Sequence, residues 1–267
     1  MKVIGKLALG WNGPRRPVFG TEFSGTIEAT GTNVSRFRAG DAVFAFPGIK
    51  LGGHAQYALI AETGPIAPLP KALDFHQAAA LSFGGSTALH FLRKAGLKPG
   101  QSILVIGGSG AVGLAMVQLA RQQGARVSAT TSTSNLTLLA EHGVTHAINY
   151  TSTDIATLSE RFDIVADTVG ALDFAAAQKL LNTNGRYLAI AGTLKEMLMA
   201  LRPDADGKRM IAGPAEERVD DVAELARLAA AGIYWPHIDR VYPFSAMPEA
   251  HAYVETRRKR GSVVIAL

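Results

Sequence analysis

Residues 108–113 read GSGAVG and have the spacing of a backbone turn that holds phosphate groups, G-x-G-x-x-G. A short apolar run at residues 103–106 precedes this turn, and an apolar-periodic helix at residues 114–123 follows it. In such a strand, turn and helix, glycine permits the reversal and close approach to a diphosphate, and Gly113 lets the helix pack on the strand. The pattern predicts a dinucleotide site at Ser109, Gly110, Ala111, Val112 and Gly113.

Two other glycine-containing motifs do not match these residues. A P-loop carries Gly-Lys-Ser/Thr after its glycines, and no lysine follows Gly113. A nucleophile elbow requires G-x-S-x-G, but the register that starts at Gly107 ends in Ala111. A glycine-rich loop that binds nothing is the remaining alternative.

The end of the next predicted strand, residues 126–130, indicates which dinucleotide is preferred. NAD-specific folds place an acidic residue about twenty residues after the glycines, where it binds the ribose 2′-OH. Here residues 130–135 carry hydroxyls and an amide, and no acidic residue occurs between Gly108 and Ala140. Hydroxyls and amides can hydrogen-bond a 2′-phosphate, whereas a carboxylate would repel it. We therefore expect NADP(H), held at Thr131, Ser132 and Asn135; helix capping by Ser132 or Ser134 is a further possible role.

Alternating strands and helices in the middle of the chain predict the sheet that positions these residues. Strands are expected at residues 103–106, 126–130, 147–150, 163–167, 185–191 and 208–212, and residues 193–214 are otherwise expected to be irregular. This order predicts an α/β fold with a doubly wound, Rossmann-type parallel sheet. Ligands bind at the carboxyl edge of such a sheet. The expected site therefore also includes Val169, Gly170, Ala191, Gly192 and Thr193.

The two ends of the chain differ from this middle part because they are richer in short strands. Strands are predicted at residues 23–30, 42–46 and 53–61, a helix at residues 247–260 and a closing strand at residues 262–267. We expect one domain from residues 1–85 and 233–267 and a nucleotide-binding domain from residues 86–232.

Composition restricts the class of protein. The chain has 267 residues, of which 48% are hydrophobic and 18% charged, which is typical of a core-forming globular protein. It contains no cysteine, so disulfides, thiol nucleophiles and thiolate metal sites are excluded. The net charge is +5, and the basic run at residues 257–260 fits either nucleic-acid contact or, preferably, the solvated last turn of a helix. No membrane span is predicted, and we expect a cytoplasmic protein.

A series of short motifs runs along nearly the whole chain. They lie at residues 17–25, 40–43, 52–57, 86–89, 107–113, 167–170, 185–187, 238–244, 249–251 and 261–264. Taken in order, these motifs resemble the medium-chain dehydrogenase/reductase superfamily, in particular its zinc-independent, quinone oxidoreductase-like members. The resemblance implies a GroES-like catalytic domain beside the Rossmann domain, with the active site in the cleft between them. It also implies cofactor contacts at Thr87 and Tyr150, and a homodimer formed through the sheet edge at residues 208–212. Helix capping is the alternative role for Thr87.

Two departures from the family pattern affect what is expected. Zinc-dependent relatives carry Gly-His-Glu where this chain has Gly20, Thr21 and Glu22, and no cysteine completes a site, so no metal is expected. The resemblance also begins partway through the catalytic domain, so we expect that domain to be incomplete.

The expected function is transfer of hydride from NADPH to a quinone or an α,β-unsaturated carbonyl, without zinc. No catalytic residue is assigned; His54 is a candidate proton donor, and a packed surface-strand histidine is the alternative. The competing hypothesis is a catalytically impaired NADPH-binding protein that acts as a sensor, a scaffold or a weak RNA binder. Under the main hypothesis the partner is a small molecule, and neither a membrane nor nucleic acid is expected.

Overall fold

The computed structural model describes residues 17–200 and 206–267, so the part of the predicted β-rich segment before Pro17 lies outside the described residues. In chain order the strands are β1 (Phe23–Thr26), β2 (Ala42–Ala45), β3 (Ile66–Pro68), β4 (Ser102–Ile106), β5 (Arg126–Thr131), β6 (His146–Asn149), β7 (Phe162–Asp167), β8 (Leu181–Ala189), β9 (Arg209–Ala212), β10 (Ile238–Pro243) and β11 (Ser262–Ala266). The helices are α1 (Phe75–Ala79), α2 (Ser82–Ala95), α3 (Ala111–Gln122), α4 (Leu136–Glu141), α5 (Phe174–Lys179), α6 (Leu194–Met199), α7 (Val219–Ala230) and α8 (Met247–Glu255).

Strands β4 to β9 form a parallel sheet in the order β6-β5-β4-β7-β8-β9 within the described residues. Its register pairs Leu104 of β4 with Ser128 of β5 on one side and with Val165 of β7 on the other. The chain therefore winds outward in both directions from the centre, and the direction reverses between β4 and β7. This confirms the predicted Rossmann-type sheet and puts its ligand crevice at the carboxyl ends of β4 and β7.

Helices cover the sheet because its central strands are apolar on both faces. Strand β4 is buried over its whole length, and Ile103, Leu104 and Val105 are fully inaccessible. Helix α3 packs Met116 and Leu119 into the same core. Burial of this kind contributes roughly 1.5–3 kcal/mol for each large apolar side chain, so β4 and α3 hold the turn between them rigidly.

The remaining strands belong to the β-rich part of the molecule. Strands β1, β2 and β3 form an antiparallel sheet with β2 in the centre, and β10 pairs in parallel with β11. The strand predicted at residues 53–61 was wrong, since this segment is a loop. Its start is tied down by bonds from Gly53 N–H to the Gly20 carbonyl and from His54 N–H to the Phe19 carbonyl, both at 3.0 Å or less.

Two predictions near the ends of helices were also wrong. Helix α8 ends at Glu255 rather than at residue 260, because Arg257 adopts a left-handed backbone conformation (φ 59°). The basic run therefore follows the helix and is not its last turn.

Residues 194–199 form helix α6 although residues 193–214 were predicted to be irregular outside one strand. A capping box of Thr193 and Glu196 starts this helix, as the Thr-x-x-Glu spacing could have indicated.

Candidate active site

The turn between β4 and α3 is shaped by glycines that have different neighbours. A Cβ atom on Gly113 would lie 2.1 Å from the Gly107 carbonyl oxygen, so the helix can approach the turn only with glycine there. A Cβ atom on Gly110 would meet nothing nearer than 3.5 Å, again the Gly107 carbonyl. The turn therefore has no room for a side chain at Gly113, whereas a methyl group would fit at Gly110.

The first turn of α3 directly follows Gly110. Gly110 is the N-cap residue, with extended backbone (φ −80°, ψ 169°), and Ala111 and Val112 follow it, both partly exposed. The first amides of a helix have no acceptor within the helix and carry the positive end of its dipole. A diphosphate fits such an arrangement, because oxygen atoms can approach these amides without meeting a side chain at Gly110.

Uncharged polar side chains link the end of β5 to the glycine turn. The Ser132 and Ser134 hydroxyls are 3.1 Å apart, and the Asn135 amide donates to the Ser109 hydroxyl at 3.3 Å. Ser132 stands at an N-cap position but makes no capping bond, which argues against the capping role considered for it. The hydroxyl of Thr131 is buried without a hydrogen-bond partner among the described residues, and the exposed Tyr150 donates its backbone N–H to the Thr131 carbonyl at 3.0 Å. The accessible side chains of Ser132, Ser134 and Asn135 can hydrogen-bond a sugar phosphate, whereas the Thr131 hydroxyl lies inside the protein.

The loop after β7 lies directly against the glycine turn. A Cβ atom on Gly107 would come within 2.6 Å of both the Thr168 hydroxyl and a methyl of Val169. The buried Asp167 carboxylate holds this loop, because it accepts from the backbone amides of Val169 (3.0 Å), Gly170 (2.8 Å) and Leu172 (2.9 Å). Val169 and Gly170 thus border the crevice at the point where the sheet reverses.

The end of β8 continues the same edge. A Cβ atom on Gly170 would be 3.9 Å from that of Ala191, so the two loops touch. The Ile190 amide donates to the Asp167 carbonyl at 3.0 Å. Gly192 is partly buried beside them, while the Thr193 hydroxyl is hydrogen-bonded to Glu196 and serves the start of α6. The predicted residues from β5 to β8 therefore form one continuous border.

Thr87 lies on a helix that packs against the glycine helix α3. It lies inside α2 and is almost fully buried, so the helix-capping role considered for it was wrong. Helix α2 lies on the glycine helix: a Cβ atom on Gly84 would be 2.9 Å from the Ala111 carbonyl oxygen. Thr87 is one turn further along α2.

Two contacts at the glycine turn were not anticipated from the sequence. The Thr130 hydroxyl accepts from the Gly107 amide at 3.1 Å. Near the other end of the chain, the Gly261 amide donates to the Ser109 carbonyl at 2.8 Å. Gly261, the first residue of the segment 261–264, could have indicated the second contact. No feature of the sequence indicated that Ser109 would be its partner.

His54 lies apart from this border. It lines a cavity of about 790 Å³ between β1, the loop 53–62 and β11, and no residue of the glycine turn lines that cavity. Its ring is 6.0 Å from that of His251. Burial, together with the charge of His251, lowers the pKa of His54. His54 is in a loop rather than on a strand, so the alternative of a packed surface-strand histidine was wrong.

Donors for a metal ion are missing from the described part of the chain. Among residues 17–200 and 206–267, no three His, Cys, Asp or Glu side chains lie close enough together to share one ion. Thr21 stands where zinc-dependent relatives carry histidine, and the sequence has no cysteine. These residues do not fit a catalytic zinc, which needs three protein ligands. Likewise, none of the helices in the described ranges combines the length and the apolar character needed to cross a bilayer.

Comparison with protein families matches both parts of this architecture. Residues 4–71 match the alcohol dehydrogenase GroES-like domain, and residues 142–265 match a zinc-binding dehydrogenase domain. The match in name to a zinc-binding family contrasts with the donor set described above.

Individual relatives and a solved structure agree with these matches. An NADPH-dependent alkenal/one oxidoreductase of Arabidopsis thaliana is 32% identical over 94% of this chain, which spans 64% of the plant protein. The quinone oxidoreductase of Homo sapiens is 31% identical, over 87% of this chain and 74% of its own length. The structure of the quinone oxidoreductase from Coxiella burnetii superposes with a TM-score of 0.83 at 27% identity, covering 93% of this chain and 79% of the other. The chain belongs to the medium-chain dehydrogenase/reductase superfamily.

Proposed function

We propose that this protein is an NADPH-dependent oxidoreductase that reduces a quinone or an α,β-unsaturated carbonyl without zinc. The observation that carries the proposal is the open turn at Gly110, joined through Ser109 and Asn135 to an uncharged polar group at the end of β5. The names of the plant and human relatives support the classes of acceptor, and the plant relative supports NADPH.

Each part of the border has a role in this proposal. The amides of Ala111 and Val112 would hold the diphosphate, with Ser109, Gly110 and Gly113 shaping the turn. The 2′-phosphate would be held by Ser132, Asn135 and Tyr150, and the buried Thr131 would support them from inside the protein. The nicotinamide end would be positioned by Thr87, Val169, Gly170, Ala191, Gly192 and Thr193. When bound, nicotinamide supplies the hydride, and the protein supplies orientation and electrostatics.

The acceptor reaction can be tested directly. Oxidation of NADPH is followed by stopped-flow absorbance with a panel of quinones and enones. Gly110→Asp puts a carboxylate into the space meant for the diphosphate and should abolish binding and turnover, whereas Gly110→Ala, which the turn accommodates, should keep the fold and part of the binding. No NADPH oxidation above the buffer rate with any acceptor would reject the reductase, and NADPH binding without turnover would favour the catalytically impaired alternative.

Cofactor preference can be tested with one variant and two nucleotides, NADPH and NADH. Asn135→Asp changes one amide to a carboxylate of the same size, which repels a 2′-phosphate but not a ribose hydroxyl. Affinity for NADPH should fall at least about tenfold, equivalent to 1.4 kcal/mol, while affinity for NADH stays within a factor of two. Equal losses for both nucleotides would contradict the assignment of NADP(H).

The zinc-free and dimeric parts of the proposal need separate measurements. Elemental analysis of the purified protein should find no stoichiometric zinc, and a chelator should leave turnover unchanged. We also infer a homodimer through β9, which is one of the two outer strands of the described sheet. Light scattering after size exclusion would show a monomer if that inference is wrong.

The structure weakens the case for RNA binding. Arg260 is paired with Asp239 at 3.4 Å, and the Lys259 ammonium donates to the Gly261 carbonyl at 2.6 Å. Two of the four cations of the basic run are therefore engaged within the protein. Nitrocellulose filter binding with single-stranded RNA should show negligible retention at every salt concentration, and retention that falls as salt is raised would favour the RNA-binding alternative.

A further inference from the structure

Glu22 is a carboxyl group that the proposed function does not use. Its Oε2 atom accepts from the backbone amides of Ser82 (3.0 Å) and Phe83 (2.7 Å), in the first turn of α2. Leu81, the N-cap residue of that helix, makes no side-chain capping bond. The start of α2 is therefore capped by a residue 60 positions earlier, from the β-rich part of the molecule.

The turn that Glu22 caps is a neighbour of the cofactor site. Gly84, the residue after Phe83, has room for no Cβ because the Ala111 carbonyl oxygen lies 2.9 Å from where that atom would be. Ala111 opens the glycine helix, and Thr87 follows Gly84 along α2. A shift in the first turn of α2 must therefore move a wall of the cofactor site, because packed helices transmit displacements.

A second connection runs from Glu22 through a cation. The positive charge of Lys259 lowers the pKa of Glu22. The Lys259 ammonium donates to the Gly261 carbonyl, and the Gly261 amide donates to the Ser109 carbonyl. Burial lowers the pKa of Lys259, and the charges of Asp239 and Glu22 oppose that shift. Glu22 and the cation that acts on it are thus both attached to elements that touch the glycine turn.

Two further titratable groups, Tyr234 and His54, lie near Glu22. The Tyr234 hydroxyl, which donates to the Leu81 carbonyl at 3.0 Å, faces it from the segment after α7, and His54 lines the same cavity. Burial raises the pKa of Glu22 to about 7, against the lowering effects of the two amides and Lys259. Glu22 can therefore change its charge near neutral pH.

We propose that Glu22 is a positioning residue for the cofactor: its ionised carboxylate holds the first turn of α2 against the glycine helix, and the site binds a dinucleotide fully only in that state. This proposal rests on the proposed function for the identity of the ligand. A carboxylate accepts N–H bonds more strongly than a carboxylic acid does, so protonation loosens the cap.

The test compares NADPH binding by wild type, Glu22→Gln and Glu22→Ala between pH 5.5 and 8.5, measured by nucleotide fluorescence. Wild-type Kd should rise several-fold below a single transition near pH 7. Glu22→Gln keeps an oxygen acceptor but cannot titrate, so its Kd should lack that transition. Any pH dependence that remains in Glu22→Gln measures ionisation of the NADPH phosphate and is subtracted from the wild-type curve. Glu22→Ala should bind at least tenfold more weakly at every pH.

Several outcomes would overturn the proposal. They are the same transition in Glu22→Gln, wild-type affinity in Glu22→Ala, or no NADPH binding by wild type. If Glu22→Ala does not fold, Lys259→Gln serves instead, because loss of the cation should move the transition to higher pH; an unmoved midpoint counts against Glu22. Absence of turnover with every acceptor would reject the reductase alone, since these curves measure binding.

Discussion

Gly110 and Gly113 lie three residues apart in one motif, yet the structure gives them different tolerances. Replacing Gly113 by alanine forces a methyl group to within 2.1 Å of the Gly107 carbonyl oxygen, so we expect a loss of about 2–3 kcal/mol in the free energy of unfolding. Gly110→Ala should change stability by less than about 0.5 kcal/mol. Urea unfolding of both variants checks this, and equal losses would contradict the packing described for α3.

Two buried serines form another matched pair at the residue scale. The Ser86 hydroxyl has no hydrogen-bond partner among the described residues, whereas the Ser102 hydroxyl donates to Asp163 at 3.0 Å and accepts from its amide. Ser86→Ala should therefore stabilise the protein by about 1 kcal/mol, because a desolvated hydroxyl is removed and alanine favours helix. Ser102→Ala should destabilise it by a similar amount. Thermal unfolding that shows a lower Tm for Ser86→Ala would argue that its hydroxyl has a partner.

At the residue scale, the sequence allowed a site to be predicted where chemistry depends on spacing within one segment. The glycine turn and the neutral side chains after β5 were both recognisable, because each lies within a few residues of the strand that positions it. Glu22 was noticed only as part of an altered zinc motif. Its amide partners are 60 positions away, and no local pattern encodes that distance.

At the scale of elements, the loop after β7 depends on one carboxylate. Asp167 accepts from three backbone amides and also from the Tyr187 hydroxyl at 3.2 Å. Asp167→Asn removes the charge and one acceptor oxygen, and it should cost about 1.5–3 kcal/mol of stability and weaken NADPH binding. Tyr187→Phe, which leaves the three amide bonds in place, should keep the binding. Calorimetric titration of both variants with NADPH distinguishes them, and unchanged affinity in Asp167→Asn would mean that the loop does not border the site.

Elements were predictable where hydrophobic pattern and topology agreed. The parallel strands were found because each is a buried apolar run between helices. Residues 53–61 have the alternation of a strand, but in the described ranges no neighbouring strand offers them a ladder, and glycines at 52 and 53 fix a loop. The end of α8 depends on the backbone conformation of Arg257, which charge patterning does not determine.

For the whole molecule, acid sensitivity combines two opposing effects. Burial lowers the pKa of His90 and of His237 below 6.5, so their contribution to stability is complete above pH 6.5 and is lost as the pH falls through their folded pKa values. The raised pKa of Glu22 acts in the other direction: the folded state binds more protons between pH 4.5 and 7, and stability falls as the pH rises through that range.

Glu22→Gln separates these effects. Its stability relative to wild type should increase from pH 4.5 to pH 7, by at most about 1.4 kcal/mol for each unit of the Glu22 shift. The free energy of unfolding of Glu22→Gln itself should fall below pH 6.5, because His90 and His237 then become protonated. Urea unfolding at several pH values checks both slopes, and parallel curves for the two proteins would contradict the raised pKa of Glu22.

The bond between Gly261 and Ser109 has a consequence for synthesis. A ribosome makes the glycine turn long before it makes residue 261. A nascent chain with β4, β5 and α3 already outside the exit tunnel therefore still lacks the hydrogen bond from Gly261 to that turn. We therefore expect nucleotide capture to begin late in translation, after the sheet has folded around an unfinished pocket.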